Sequence, residues 1–257
     1  MVAMVFSTWH HLAAWMILKI PIRSLLSQLF KALSMFSKQL ASLAGTVRRV
    51  VLTSSISALV PNPAWPNNSI PFNETSWTDL DYCKSHQKWY PVSKTLAEKA
   101  AWEYSKNNDI DVVAIHPSTC LGSLLQPSLN ASSAVLLHML QGSKDTQEYH
   151  WLGAVHVRDV AKAQLLLFET PSASGRYLCT NGIYQFRDFA HTVSKLYPQF
   201  PIHRFNEETQ PGLMGCKDAA KRLIDLGLVF TPIEDAVREA VESLREKGFL
   251  ENGNLQS

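Results

Sequence analysis

No aspartate or glutamate occurs in the first 73 residues, although six basic residues do: Lys19, Arg23, Lys31, Lys38, Arg48 and Arg49. Glu74 is the first acid, and the rest of the chain carries 18 basic and 22 acidic residues, so the net charge is only +2. That balance excludes a strongly basic nucleic-acid surface, and no lysine–arginine cluster is interleaved with aromatics. Four cysteines, Cys83, Cys120, Cys179 and Cys216, show no metal-ligand spacing. They read as free thiols in a reducing, cytoplasmic setting, with no metal site. Long apolar runs are also missing. The uninterrupted stretch 12–18 is too short to cross a bilayer. No charged segment precedes it, which argues against a secretory signal. Neither a repeat nor a low-complexity tract is present, and 46% hydrophobic against 18% charged residues is a globular composition over 257 residues.

Ile22, Leu25, Leu26, Leu29, Phe30, Leu33, Phe36 and Leu40 fall at helical spacing, with lysines, serines and a glutamine on the other face. This basic amphipathic segment, within residues 1–40, is open to three readings. It could target an organelle, lie on a membrane surface, or pack on the following domain, and the last is preferred. After Gly45 the texture changes. The β-branched runs "VRRVVLTSS" and "IDVVAIHPS" and the shorter "GRYLCT" predict buried parallel strands. Between them, helices are expected from about Pro91 to Lys106, over "HVRDVAKAQLLLFE" with Asp159 in its first turn, and over "FRDFAHTVSKLYP" up to Pro198. Two more are expected in "DAAKRLIDLGL" and "TPIEDAVREAVESLREKGF", the last with Thr231 as N-cap and Pro232 at the first helical position. Strands alternating with helices predict a parallel sheet covered on both faces.

Tyr90 and Lys94 stand four residues apart at the start of a predicted helix and so share one face. An ammonium beside a phenol favours the phenolate, which makes the phenol usable as an acid or base. A hydroxyl to hold a carbonyl oxygen is available from "TSS", Thr53–Ser55, just past a predicted strand, where open α/β sheets place their ligand crevice. "IHPSTCLG" is a second strand end rich in small polar residues. On spacing alone Y-x-x-x-K is a weak signal, and it gains weight only from these neighbours.

The segments "VRRVVLTSSISAL", "KWYPVSKTLAEKAAWEY", "DVVAIHPSTCLG", "LNASSAVLLHMLQG", "GAVHVRDVAKAQLLLFE" and "GRYLCT" together resemble the plant cinnamoyl-CoA reductase and dihydroflavonol reductase group, extended short-chain dehydrogenase/reductases that use NADPH. The resemblance covers about residue 41 to the C-terminus. It implies Tyr90 as proton donor to a carbonyl, Lys94 as the lysine that contacts the nicotinamide ribose and lowers the tyrosine pKa, and Ser55 as the carbonyl-binding serine. Ser54, its neighbour, is an alternative. It further implies Pro117, Ser118, Thr119 and Cys120 as the loop beside the nicotinamide, and Ser132 as a position near the cofactor. His156, Arg158 and Asp159 are implied to tie a substrate lobe to the sheet. The family pattern "NWYCYGK" is here "KWYPVSK", with Pro91 and Ser93 in place of its cysteine and glycine. Cys83 thereby loses the cysteine with which the family residue could pair. The substrate is expected to be a phenylpropanoid-like aldehyde, thioester or ketone, as in reductase-like relatives whose substrates vary.

Family members begin with a strand and a G-x-x-G-x-x-G turn that lets the backbone meet the pyrophosphate. Here the only glycine before Thr53 is Gly45. The expectation is therefore an α/β protein with an incomplete Rossmann-type parallel sheet lacking its first strands, N-terminally truncated relative to the family. It would carry an added N-terminal helix over 1–40, a reductase domain over 41–257, and a small C-terminal substrate lobe drawn mainly from 123–155 and 180–257. NADP(H) binding is expected to be weakened, in a cytoplasmic monomer acting on a small molecule. The alternative is a catalytically inactive family member.

Overall fold

The structure, a computed structural model, describes residues 47–63, 73–147, 151–209 and 219–251. The expected helix over 22–40, the rest of segment 1–40, and Cys216 lie outside them. The elements run β1 (Arg49–Thr53), a 3-10 turn (Ile56–Ala58), α1 (Leu80–Ser85), α2 (Trp89–Asn108), β2 (Asp111–Pro117), β3 (Thr119–Leu121) and α3 (Ala131–Leu140). They continue with β4 (Ala154–His156), α4 (Val157–Glu169), β5 (Gly175–Cys179), α5 (Phe186–Leu196), α6 (Lys221–Asp225) and α7 (Ile233–Glu246). Among the described residues, the main sheet is parallel and three-stranded, in the order β1-β2-β5, and β3 pairs with β4 in a second parallel pair.

Side-chain alternation explains why these strands carry no polar face. Val50 and Val112 point to one side, where Trp102 and Tyr104 of α2 pack against them. Val51, Val113 and Ile115 point to the other, onto Val160, Ala163 and Leu167 of α4. A strand buried on both faces must be apolar at successive positions, which the β-branched runs supply. Each such side chain contributes about 1.5–3 kcal/mol by leaving water. The register pairs Val51 with Val113 and Ile115 with Tyr177, so the strand ends at Thr53, Pro117 and Cys179 converge on one edge of the sheet.

A second core forms beside that edge. Leu136 and Leu140 of α3, Phe186 and Phe189 of α5, and Val237, Val241 and Leu244 of α7 surround the buried Trp151. β3 and β4 join the two cores through Ser118 N to Cys179 O (3.1 Å), Thr119 N to Gly153 O (3.3 Å) and Asn181 N to Ala154 O (2.9 Å). Residues 119–121, expected as loop, are thus a strand because β4 offers them a partner.

Helix starts differ from expectation in two places. α2 begins at Trp89, one residue before Tyr90, so proline occupies an early helical position at Pro91, where its missing N–H costs nothing. α7 begins at Ile233, and Thr231 is not its side-chain cap. Instead Thr231 donates through its amide (2.6 Å) and its hydroxyl (3.0 Å) to the two oxygens of Asp159. Asp159 is fully buried in the first turn of α4. A buried carboxylate needs several donors, and that demand outweighs a cap exposed at the surface. His156 caps α4, accepting from Arg158 N at 3.0 Å, and Arg158 pairs with Glu239 of α7 at 3.1 Å. Arg158 thus links α4 to α7, and Asp159 links it to the turn before α7.

Candidate active site

α2 carries a stripe at four-residue intervals: Tyr90, Lys94, Glu98 and Trp102. Helical geometry stacks such residues on one face. That face lies against the sheet, so Lys94 and Glu98 are buried despite their charge. Tyr90, in the first turn, lies near Ser55 of the 3-10 turn just beyond β1, whose hydroxyl favours the ionised phenol. Ser55 Oγ also accepts from Ser57 N at 3.1 Å. It is thus held by the turn it initiates, with extended backbone (φ −161°, ψ 154°).

Tyr90 and Ser55 line a cavity of about 320 Å³. Ser118, Thr119 and Ser132 line it too, from the end of β2, from β3 and from the first turn of α3. Ser118 donates to Thr180 Oγ1 at 3.0 Å, and Ser132 Oγ accepts from Cys120 N at 3.2 Å. Val135, His138, Asp145 and Gln147 complete the far wall. Of the residues expected at the site, the cavity therefore brings together Ser55, Tyr90, Ser118, Thr119 and Ser132.

Four others stand behind it. Lys94 Nζ donates to Thr53 O at 3.4 Å and lies 6.0 Å from the centre of the Tyr90 ring. Pro117 is buried as the last residue of β2. Cys120 points its thiol back to Ser118 O at 3.4 Å. Ser54, expected as a cofactor contact or an alternative to Ser55, donates to Glu98 Oε2 at 2.6 Å and is absent from the cavity wall. The division between the two serines has a physical cause: a buried carboxylate captures the nearer hydroxyl, which leaves the next one for the cavity.

Electrostatics also differ from the expectation that Lys94 lowers the Tyr90 pKa. Burial pushes Tyr90 up to about 12; the Ser55 hydrogen bond pulls it down and Cys120 raises it further. Burial pulls Lys94 down to about 8, against Glu98 and Cys120, which raise it. Near neutral pH the phenol keeps its proton and the ammonium keeps its charge. Burial alone would raise Glu98, but the charge and hydrogen bond of His116, with those of Arg176, hold it at about 2. His116 Nε2 lies 2.7 Å from Oε2, and Arg176 Nε donates to Oε1 at 2.6 Å.

A protonated phenol and a serine hydroxyl meeting at a cavity wall can hold one carbonyl oxygen and give it a proton. The hydroxyls of Tyr90, Thr119 and Ser132, with the ammonium behind them, match the donor chemistry of a nicotinamide and its ribose. The G-x-x-G-x-x-G motif that meets a pyrophosphate does not occur in the 257-residue sequence. Glu98 went unnoticed in the sequence, although the continued four-residue stripe pointed to it. His138, Asp145 and Gln147 carry no local signal at all, since only the packing of α3 and the segment after it brings them to the cavity.

Residues 28–180 match the NAD dependent epimerase/dehydratase family. The chain is 42% identical over 211 residues to cinnamoyl-CoA reductase 1 of Petunia hybrida, covering 82% of this chain and 63% of that protein. It is 39% identical over 212 residues to cinnamoyl-CoA reductase 2 of Medicago truncatula, again covering 82% and 63%. It thus spans less than two thirds of the length of these relatives. Among solved structures, vestitone reductase from alfalfa superposes with a TM-score of 0.70 at 30% identity, over 90% of this chain and 74% of that one. Yeast methylglyoxal/isovaleraldehyde reductase complexed with NADPH gives 0.64 at 25% identity, over 82% and 69%. With its parallel sheet and its cinnamoyl-CoA reductase relatives, the chain belongs to the NAD dependent epimerase/dehydratase family.

Proposed function

We propose that this chain carries the reacting half of an NADPH-dependent carbonyl reductase whose substrate is a phenylpropanoid-like aldehyde, ketone or thioester. The observation that carries the reading is that Tyr90 and Ser55 line one cavity, with Lys94 buried one helical turn behind. When bound, NADPH supplies the hydride. Ser55 donates a hydrogen bond to the carbonyl oxygen. Tyr90, kept protonated by its enclosure, gives that oxygen its proton. Lys94 stays charged below about pH 8 and would donate to the ribose of the cofactor. Thr119, Ser118 and Ser132 offer hydroxyls along the same wall. The wall formed by Ala131, Ala134 and Val135 is apolar, which suits an aromatic substrate body. The buried free thiols Cys83 and Cys179 suit a reducing compartment such as the cytoplasm.

One observation favours a second reading. The sequence contains no G-x-x-G-x-x-G turn, and the charge-assisted hydrogen bonds such a turn gives to phosphate are worth about 1.5–3 kcal/mol each. Binding of NADPH would then be weaker by orders of magnitude, and the chain could be inactive by itself. Titrating the protein with NADPH, followed by cofactor fluorescence, separates the two. Micromolar binding together with turnover of an aromatic aldehyde supports the reductase. No binding at millimolar NADPH leaves the inactive family member.

A further inference from the structure

A second cavity, of about 240 Å³, shares no residue with the one lined by Tyr90 and Ser55. One wall is a face of α5, where Arg187, Ala190, His191 and Ser194 follow at helical intervals of three and four. The other wall is segment 203–206, which brings His203, Arg204 and Asn206. Both walls are fixed from behind. Phe186, Phe189 and Val193 turn the far side of α5 into the core around Trp151. Phe205 packs against that core, with its ring 5.7 Å from Phe186 at 68°, and His203 stands edge-on to Phe205 at 4.8 Å and 86°. Ala190 is the smallest α5 residue at the cavity and leaves room between the polar side chains of the two walls.

We propose that this cavity binds a phosphate group, with Arg187 and Arg204 donating to its oxygens from the two walls and His191, His203 and Asn206 adding donors. Each arginine carries a permanent charge and a planar fork of N–H groups that pairs with phosphate two bonds at a time. Among the described lining residues Asp188 is the one carboxylate, and Arg187 donates to it through Nε alone, at 3.2 Å. Glu207 and Glu208 follow in the chain but stay off the wall. With both imidazoles neutral, the wall sets two positive charges against one negative. A cation would meet like charge there, and an apolar ligand would leave the donors unpaired. A small dianion satisfies both demands. The phosphate is either the free ion or the end of a phosphorylated small molecule. The site is separate from the reaction assigned to Tyr90 and holds whether or not the chain binds NADPH.

The full chain is titrated by calorimetry with sodium phosphate and, separately, with phenyl phosphate, at constant ionic strength. Saturable one-to-one binding with a Kd of about 1 mM or tighter is expected. Arg187→Gln combined with Arg204→Gln removes the charge-assisted donors and should weaken binding by about tenfold or more. Lys195→Gln removes a positive charge from α5 outside the cavity wall and should leave the Kd within about twofold. Equal affinity for the two ligands identifies the free ion as sufficient, and tighter binding of phenyl phosphate identifies a phosphorylated organic molecule. Binding of neither at about 10 mM overturns the proposal. So does binding that the double variant retains, which puts the anion elsewhere. Arg204 is exposed on a surface segment, so Arg204→Gln alone serves if the double variant fails to fold. An unmoved Kd in that variant overturns the proposal as well.

Discussion

Ser54 donates its hydroxyl to Glu98 at 2.6 Å, which turns this serine inward and leaves Ser55 as the hydroxyl that reaches the cavity. Adjacent serines thus sit in opposite environments, and their alanine variants should fail in different ways. Ser55→Ala removes a donor aimed at the carbonyl oxygen and should lower kcat by roughly 10²–10³-fold with the melting temperature nearly unchanged. Ser54→Ala strips a donor from a buried carboxylate and should cost about 1–3 kcal/mol in urea unfolding. Equal stability losses in the two variants would contradict this assignment.

Tyr90→Phe keeps the ring and loses the proton. Turnover should drop by about 10²–10⁴-fold while NADPH affinity changes little. Full turnover in this variant would remove Tyr90 from the mechanism.

The pH dependence should come from the lysine and not from the tyrosine. Burial has raised Tyr90 to about 12, so its proton stays in place across the accessible range. Burial has lowered Lys94 to about 8; it is charged below that pH and neutral above it. Cofactor affinity should therefore weaken as pH rises through about 8, and Lys94→Met should abolish this limb. Fluorescence titration from neutral to alkaline pH checks it.

Acid should destabilise the fold through Glu98. Its folded pKa, about 2, lies below its ordinary 4.5, so the stabilisation is complete above 4.5 and is lost as pH falls toward 2. A separation of that size corresponds to about 3 kcal/mol. Urea midpoints measured across that interval should show the loss, and Glu98→Gln should remove most of the slope.

Gly153 has φ +92°, and a Cβ there would stand 1.9 Å from the carbonyl oxygen of Gly182. Backbone cannot yield as a flexible side chain can, so Gly153→Ala should cost about 3 kcal/mol or more. Gly227, with φ +99° and nothing within 4 Å, isolates the conformational penalty alone. Gly227→Ala should cost only about 1 kcal/mol. Comparing the two melting temperatures separates collision from backbone preference.

Much of this molecule is legible in one dimension. The runs at 49–53, 111–117 and 175–179 are β-branched or apolar because strands covered on both faces have no polar side to show. The interval from Tyr90 to Lys94 places two groups on one helix face by geometry alone, and the same interval continues to Glu98. Such features follow from local periodicity, so the sequence determined the three strands of the main sheet and the helices α2, α4, α5 and α7. Tertiary structure decided the rest, because the rest depends on partners far apart in the chain. Glu98, held in the core by His116 and Arg176, takes its hydroxyl donor from Ser54 and not from Ser55. Thr231 went to Asp159, 72 residues away, instead of capping its own helix. His138 of α3 and Gln147 of the segment after it became cavity wall through tertiary packing. In each case a buried polar group took whichever donor the fold brought within reach, and no spacing along the chain states which donor that will be.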